Sequence, residues 1–278
     1  MEENCLKSTD FIVELLGCPA DEMYEPVNAD YICPFIEQKC IKRGHYTTDP
    51  FPVCSLWKYT GSGKMRIRER PVIVCPKRFF DTNVVDDILE HCWTTPYNRS
   101  NIRAVREISL GKAGNVDMVI CDMTSLADNF ISVELQAVDI TGSVSSAYTA
   151  HMNREELLVP PKYNFNTANV FKRYITQLIK KGYVHSTWRK KVVAVVQDFL
   201  FEDMRRRVRF AATNPKDENT SIVFLSYALD TSARTEEGFY PLKLKEVVGT
   251  EHSALMSAVV YEQPPDKEKF LNAIRRQL

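Results

Sequence analysis

Gly114-Asn115-Val116-Asp117-Met118-Val119-Ile120-Cys121 and, past the turn signal Asp128-Asn129, Phe130-Ile131-Ser132-Val133-Glu134-Leu135-Gln136-Ala137 are the runs on which the fold turns. Both are rich in apolar and β-branched residues and are bounded by Gly, Asn and Asp, the pattern of neighbouring strands. Arg103–Ser109, closed by Gly111 and Gly114, reads as a third strand ahead of them. Side chains two apart on a strand share a face. Glu134 and Gln136 therefore project together, with Val133, Leu135 and Ala137 on the other side. Asp117 opens the adjacent strand among apolar neighbours, so pairing brings two carboxylates and an amide to one spot. Asp122 is the rival acid, but its odd offset from Asp117 turns it away in a regular strand; Asp117 is preferred.

Outward from this meander, helical spacing of Val84, Val85, Ile88 and Leu89 predicts a helix over 81–92, with Asp81 placed to cap it. Further helices are predicted over 144–156, 167–181, 252–261 and 266–276. Strands are predicted at Val192–Val196 and Ile222–Tyr227. Near the N-terminus, Phe11, Ile12, Leu15 and Leu16 predict an amphipathic helix over 8–17, followed by an irregular region to about residue 78. The expected class is α/β, mixed α+β: a mixed sheet flanked by helices. Two parts are expected, residues 1–80 with the N-terminal helix and the cysteines, and residues 81–278 with the sheet.

The chain has 278 residues, 44% hydrophobic and 26% charged, which excludes wholesale disorder. It has no apolar run of the ~20 residues a membrane helix needs, and its acidic first residues lack the pattern of a secretion signal. A cytoplasmic protein without a membrane partner is expected. Thirty-six basic and 36 acidic side chains cancel, yet residues 171–210 carry eleven bases against three acids. A polyanion would have to be gripped there.

Four of the eight cysteines, Cys33, Cys40, Cys54 and Cys75, punctuate one segment poor in helical periodicity, and the first and last each precede a proline. Thiols in a reducing compartment are not read as disulfides. Four thiolates around a tetrahedral ion would staple such a segment. The spacing C-x6-C-x13-C-x20-C lacks a tight C-x2-C pair and leaves both a metal site and separately buried thiols open. His45 is a possible substitute ligand; Cys92 and Cys121 read as core residues, and Cys5 and Cys18 flank the first helix.

Asp117, Glu134 and the Leu135 carbonyl would form an oxygen-rich pocket suited to Mg²⁺. Such a site activates water and stabilises charge growing on a phosphorus centre. The pattern by itself is loose, and polar residues on an exposed sheet face produce it too. The combination is more specific. Cys33-Pro34-Phe35, Cys40, Cys54 and Cys75-Pro76-x-Arg78, then Glu134-x-Gln136-x-x-Asp139-x-x-Gly142, then Ala168-Asn169-Val170-Phe171-Lys172-Arg173 with Gln177 resemble, in order, the NotI family of type II restriction endonucleases.

That resemblance implies a restriction-endonuclease-like PD-(D/E)XK nuclease core with an N-terminal four-cysteine subdomain. It implies a structural iron or zinc on Cys33, Cys40, Cys54 and Cys75, and catalytic Mg²⁺ on Asp117 and Glu134. Glu107 matches a further family carboxylate near the site. Gln136 stands where the wider superfamily has lysine, and as an amide it orients water without supplying positive charge. The implied reaction is one-step hydrolysis of double-stranded DNA leaving 5′-phosphate ends, by a homodimer on a palindromic site, with the family's leaning toward GC-rich sequences.

Lys172, Arg173, Gln177, Lys180 and Lys181 on the 167–181 helix, with Arg189 and Lys190 beyond it, are the expected DNA contacts; a solvated basic face is the bland alternative. Arg173 and Gln177 are four apart and suit guanine and adenine edges. Arg205-Arg206-Arg207 reads as phosphate contact or an exposed helix end. Gly61-Ser62-Gly63-Lys64 fails as a phosphate-binding loop because Met65 follows the lysine, so no nucleotide cofactor is expected. The competing readings are a metal-stapled DNA-binding protein, and a repair or mobile-element nuclease with the same core.

Overall fold

The computed structural model describes residues 6–22, 30–43, 50–61, 67–80, 82–261 and 266–277. Cys5, His45, Ser62–Lys64 and the proposed cap Asp81 lie outside them. The predicted helix over 8–17 is not formed. A single 3-10 turn at Ser8–Asp10 leads into strand β1 (Ile12–Leu15), and Phe11 through Leu16 are buried in succession. A run buried on both sides suits a covered strand, whereas a helix here would have left a face in water. The run ends in a turn with positive φ at Leu16 and Gly17; a Cβ at Gly17 would lie 2.5 Å from the Phe35 ring.

Strand β2 (Cys18–Pro19) follows, then β3 (Ile32–Cys33) and β4 (Gln38–Lys39), which pair with each other. Within the region read as irregular, β5 (Val53–Thr60) and β6 (Ile67–Ile73) pair antiparallel. These join β1 and β2 in a four-stranded sheet of order β2-β1-β5-β6.

Helix α1 (Thr82–Cys92) and strands β7 (Ile102–Ser109), β8 (Asn115–Asp122) and β9 (Phe130–Gln136) follow the predicted order. Next come β10 (Ile140–Gly142), α2 (Ser145–Asn153), β11 (Tyr163–Phe165) and α3 (Thr167–Thr187). Helix α3 outruns its predicted end by six residues. Its first turn is capped by Asn166, whose side chain accepts the Asn169 N–H at 3.2 Å. The chain continues through β12 (Val192–Gln197), α4 (Asp198–Arg207), β13 (Ile222–Leu229), β14 (Leu242–Thr250), α5 (His252–Val260) and α6 (Lys267–Arg275).

The main sheet has six strands in the order β14-β13-β12-β9-β8-β7. Its centre, β9-β12-β13, is parallel, and β7, β8 and β14 run antiparallel to their neighbours. Period-two alternation sends Met118, Ile120, Val133, Leu135, Val193, Val195, Val223 and Leu225 into one core. That core also holds Ile88 of α1 and Val13, Ile73 and Phe79 of the N-terminal part. Val192, Ala194, Val196, Ile222 and Phe224 face the other way, under α3, α4 and α5. The result is a mixed sheet covered on both faces, an α/β architecture of the mixed kind. No helix among the described residues is long and apolar enough to cross a membrane.

Candidate active site

β8 and β9 pair from Cys121↔Phe130 to Met118↔Val133, and the regular ladder goes no further. Beyond it the Asp117 carboxylate takes over one backbone partner: the Leu135 N–H donates to Asp117 Oδ2 at 2.8 Å. Asp117 and Glu134 thus sit at the splayed end of the pair, on the face turned toward α3. Asp117 is partly exposed and Glu134 is 4% exposed.

Burial pushes the Glu134 carboxyl up to about 7; the Asp117 charge adds to the rise and the Lys181 ammonium opposes it. A desolvated carboxylate beside a second acid is a group that lacks enough positive charge around it. The two carboxylates are hard oxygen donors, the kind a divalent cation such as Mg²⁺ takes.

Gln136 follows on the same face, partly exposed, its amide donating to the Ala137 carbonyl at 2.6 Å. Glu107 stands level with Asp117 on the neighbouring strand, between the pairs Arg106↔Met118 and Ile108↔Val116. Its φ of +56° breaks the pleat there, and its exposed carboxylate pairs with Lys77 at 3.2 Å. Asp122 is buried at the far end of β8, where Oδ1 accepts from the Thr124 N–H at 2.9 Å and the Thr124 hydroxyl at 2.6 Å. It closes a turn, away from Asp117.

The face of α3 resolves the basic residues. Lys172, Arg173, Gln177 and Lys180 are exposed together, and Arg173 pairs with the exposed Asp139 at 2.5 Å. Arg189 is exposed; Lys190 donates to the Asp128 carbonyl at 2.5 Å and lies over the Phe130 ring. Lys181 does not share that outer face. It is 3% exposed and donates to Glu134 Oε1 at 2.5 Å and to the Asn115 carbonyl at 2.6 Å. The signal for it lay in the helical phase: Tyr174, Leu178, Lys181 and His185 are spaced by four, three and four residues, one buried stripe.

His185, one turn after Lys181, is fully buried. Its Nδ1–H donates to the Lys181 carbonyl at 2.7 Å, which leaves Nε2 to accept the Ser132 hydroxyl at 2.8 Å. Burial lowers its proton affinity, so the neutral ring that this geometry requires is the favoured one. Arg205 pairs with Glu246, and Arg206 and Arg207 with Asp203, at the end of α4.

Around the cysteines, Cys33, Cys54 and Cys75 approach one another through β3, β5 and the segment after β6. The Cys54 thiol and the Cys75 sulfur share a hydrogen bond that pulls Cys75 down to about 6 and pushes Cys54 up. N–H groups of Phe35 and Ile36 turn to Cys33, and those of Lys77 and Arg78 to Cys75. Lys42 Nζ donates to the carbonyls of Val53 and Val74, at 2.6 and 3.1 Å, beside Cys54 and Cys75. Thiols with backbone donors at the sulfur suit a soft metal such as iron or zinc. Among the described residues, however, no group of three or more Cys, His, Asp or Glu side chains is drawn together closely enough to hold an ion. Cys92 and Cys121 are buried core residues.

The family description that matches the chain is restriction endonuclease NotI, over residues 22–241. No curated protein matches it.

Proposed function

The chain belongs to the NotI restriction endonuclease family, and on that premise we propose that it is a Mg²⁺-dependent type II endonuclease cutting double-stranded DNA at a specific site. The observation that carries this reading is the co-facial pair Asp117 and Glu134, joined through the Leu135 N–H at the splayed end of β8 and β9. In this reading the six-stranded sheet with its helices, residues 81–278, is a PD-(D/E)XK core. Residues 1–80 form an N-terminal part in which Cys33, Cys40, Cys54 and Cys75 would hold iron or zinc.

Asp117 and Glu134 would hold the divalent cation, which when bound supplies a polarised water and offsets charge on the scissile phosphate. The remaining work belongs to the chain. The Leu135 N–H holds the Asp117 carboxylate in place at the strand end. Gln136 is positioned to exchange its bond to the Ala137 carbonyl for one to the attacking water. Glu107, level with Asp117 on the neighbouring strand but paired with Lys77, would be a further acid near the strand end. Lys172, Arg173, Gln177 and Lys180 would carry the phosphate backbone and base edges, and Arg189 and Lys190, beside Phe130 at the other end of β9, would grip the backbone farther from the acids. In-line attack by water leaves a 5′-phosphate and a 3′-hydroxyl with no covalent enzyme intermediate. A homodimer acting in the cytoplasm would place two such sites on a palindrome.

The test is incubation of the full chain with plasmid and phage DNA, with Mg²⁺ or with EDTA, followed by end sequencing. Discrete fragments with 5′-phosphate ends only in Mg²⁺ are the expected result. Asp117→Asn is expected to abolish cutting while specific DNA binding persists. Uncut DNA from a library holding every six- to eight-base palindrome would overturn the nuclease and favour a DNA-binding protein of the same fold.

A further inference from the structure

Gln136 leaves the acid pair without the positive charge that a lysine at that strand position would bring. A lysine nevertheless reaches the pair from another element. Lys181 of α3 is 3% exposed, and its ammonium bridges Glu134 Oε1 at 2.5 Å and the Asn115 carbonyl at 2.6 Å. Those two partners lie on different strands, Asn115 two residues before Asp117 on β8 and Glu134 on β9. The bridge therefore spans the gap where the ladder between β8 and β9 has stopped, at Met118↔Val133.

The fit extends one turn further. His185, four residues on, meets Ser132, two residues before Glu134. Four residues of helix rise about 6 Å and two residues of strand about 6.7 Å, so the two polar pairs run in step. Close approach of α3 makes this reach possible: a Cβ at Gly182 would lie 2.7 Å from Ile222 side-chain atoms.

We propose that Lys181 is a positioning residue for the cutting reaction, supplying from helix α3 the fixed charge that Gln136 does not, and setting through Glu134 and the Asn115 carbonyl the separation of the two acids. The inference rests on the nuclease reading above. It departs from it in assigning this buried lysine to the catalytic pair and not to DNA.

The test compares wild type, Lys181→Met and Lys181→Arg in single-turnover cutting across a Mg²⁺ titration, with DNA affinity in EDTA and thermal melting measured alongside. Lys181→Met is expected to lower the rate constant at saturating Mg²⁺ by about a hundredfold, the scale of a small misplacement at a reacting centre. Its DNA affinity in EDTA should match wild type, and Lys181→Arg should recover part of the rate. A merely structural role would instead reduce the fraction of DNA cut, at an unchanged rate constant, and would overturn the proposal. So would a Lys181→Met protein that cuts like wild type while Asp117→Asn is dead, an outcome that leaves the nuclease reading intact. If Lys181→Met melts below the assay temperature, Lys181→Gln, which keeps an amide donor, carries the same readouts. Failure of wild type itself to cut the palindrome library would end both readings.

Discussion

Arg78 Nε lies 3.0 Å from Glu14 Oε1, and neither side chain exposes any surface. The pair ties β1 to the turn after Cys75. The second Glu14 oxygen accepts the Ser55 hydroxyl at 2.6 Å, while Arg78 also donates to the Tyr240 carbonyl and lies over the Phe35 ring. Four separate stretches of chain are thus pinned by one guanidinium.

Removing one member of a buried pair strands the other charge, at a cost of about 3–5 kcal/mol. Arg78→Met should lower unfolding free energy by that amount in urea titrations. The double variant Glu14→Leu/Arg78→Met should recover part of the loss, because no lone charge then remains. Arg78→Lys should fall with Arg78→Met, since one ammonium does not span Glu14 and Tyr240.

Glu134 gives a pH signature in divalent-free buffer. Its folded-state value, about 7, lies above the usual carboxylate range. The folded protein therefore holds that proton more tightly than the unfolded chain. The associated stability is full below about pH 4.5 and is lost as pH rises through 7, up to about 3 kcal/mol in all. Wild type minus Glu134→Gln, followed by denaturant unfolding from pH 4 to 8, should fall across that window. A flat difference would remove the desolvated acid from the site.

Gly182→Ala pits a gain in helix propensity of about 1 kcal/mol against overpacking of about 1–3 kcal/mol. The added methyl meets Ile222 at 2.7 Å and the His252 Cβ at 3.1 Å inside a filled core. Net destabilisation is expected in thermal melts, with relief when Ile222→Val is combined with it.

Cys54→Ser should release metal from the purified protein, read by elemental analysis, and lower its melting temperature. Cys92→Ser, at a core thiol that ends α1, should retain the metal. Equal metal content in both would end the four-thiol assignment.

How much of this could be read from the chain alone follows from periodicity. β8 and β9 alternate cleanly, so the shared face of Glu134 and Gln136, with Asp117 beside them, was legible before any coordinates. β1 imitates a helix because Phe11, Ile12, Leu15 and Leu16 also satisfy helical spacing; the burial of Val13 as well breaks the tie. β5 was missed because Val53 to Leu56 are buried on both faces and show no alternation. β14 carries a local signal, the alternation Leu242-Lys243-Leu244-Lys245. Lys181 was grouped with its basic neighbours by charge, although its phase on α3 put it among Tyr174, Leu178 and His185. For β1 and β5 the hidden quantity is which face another element covers, a property of packing that local sequence does not encode.

Among the described residues, strand β7 ends the main sheet with no strand paired to its outer side, and all its residues after Ile102 are exposed. Val105 and Ile108 sit on that rim, a combination that invites strand addition from another copy. The left-handed kink at Glu107 and the charges of Arg103, Arg106 and Glu107 spoil the template. The same residue that stands level with Asp117 therefore also makes the rim a poorer template for an added strand. Replacing it with a β-branched residue would straighten the rim and trade solubility for an open sheet edge.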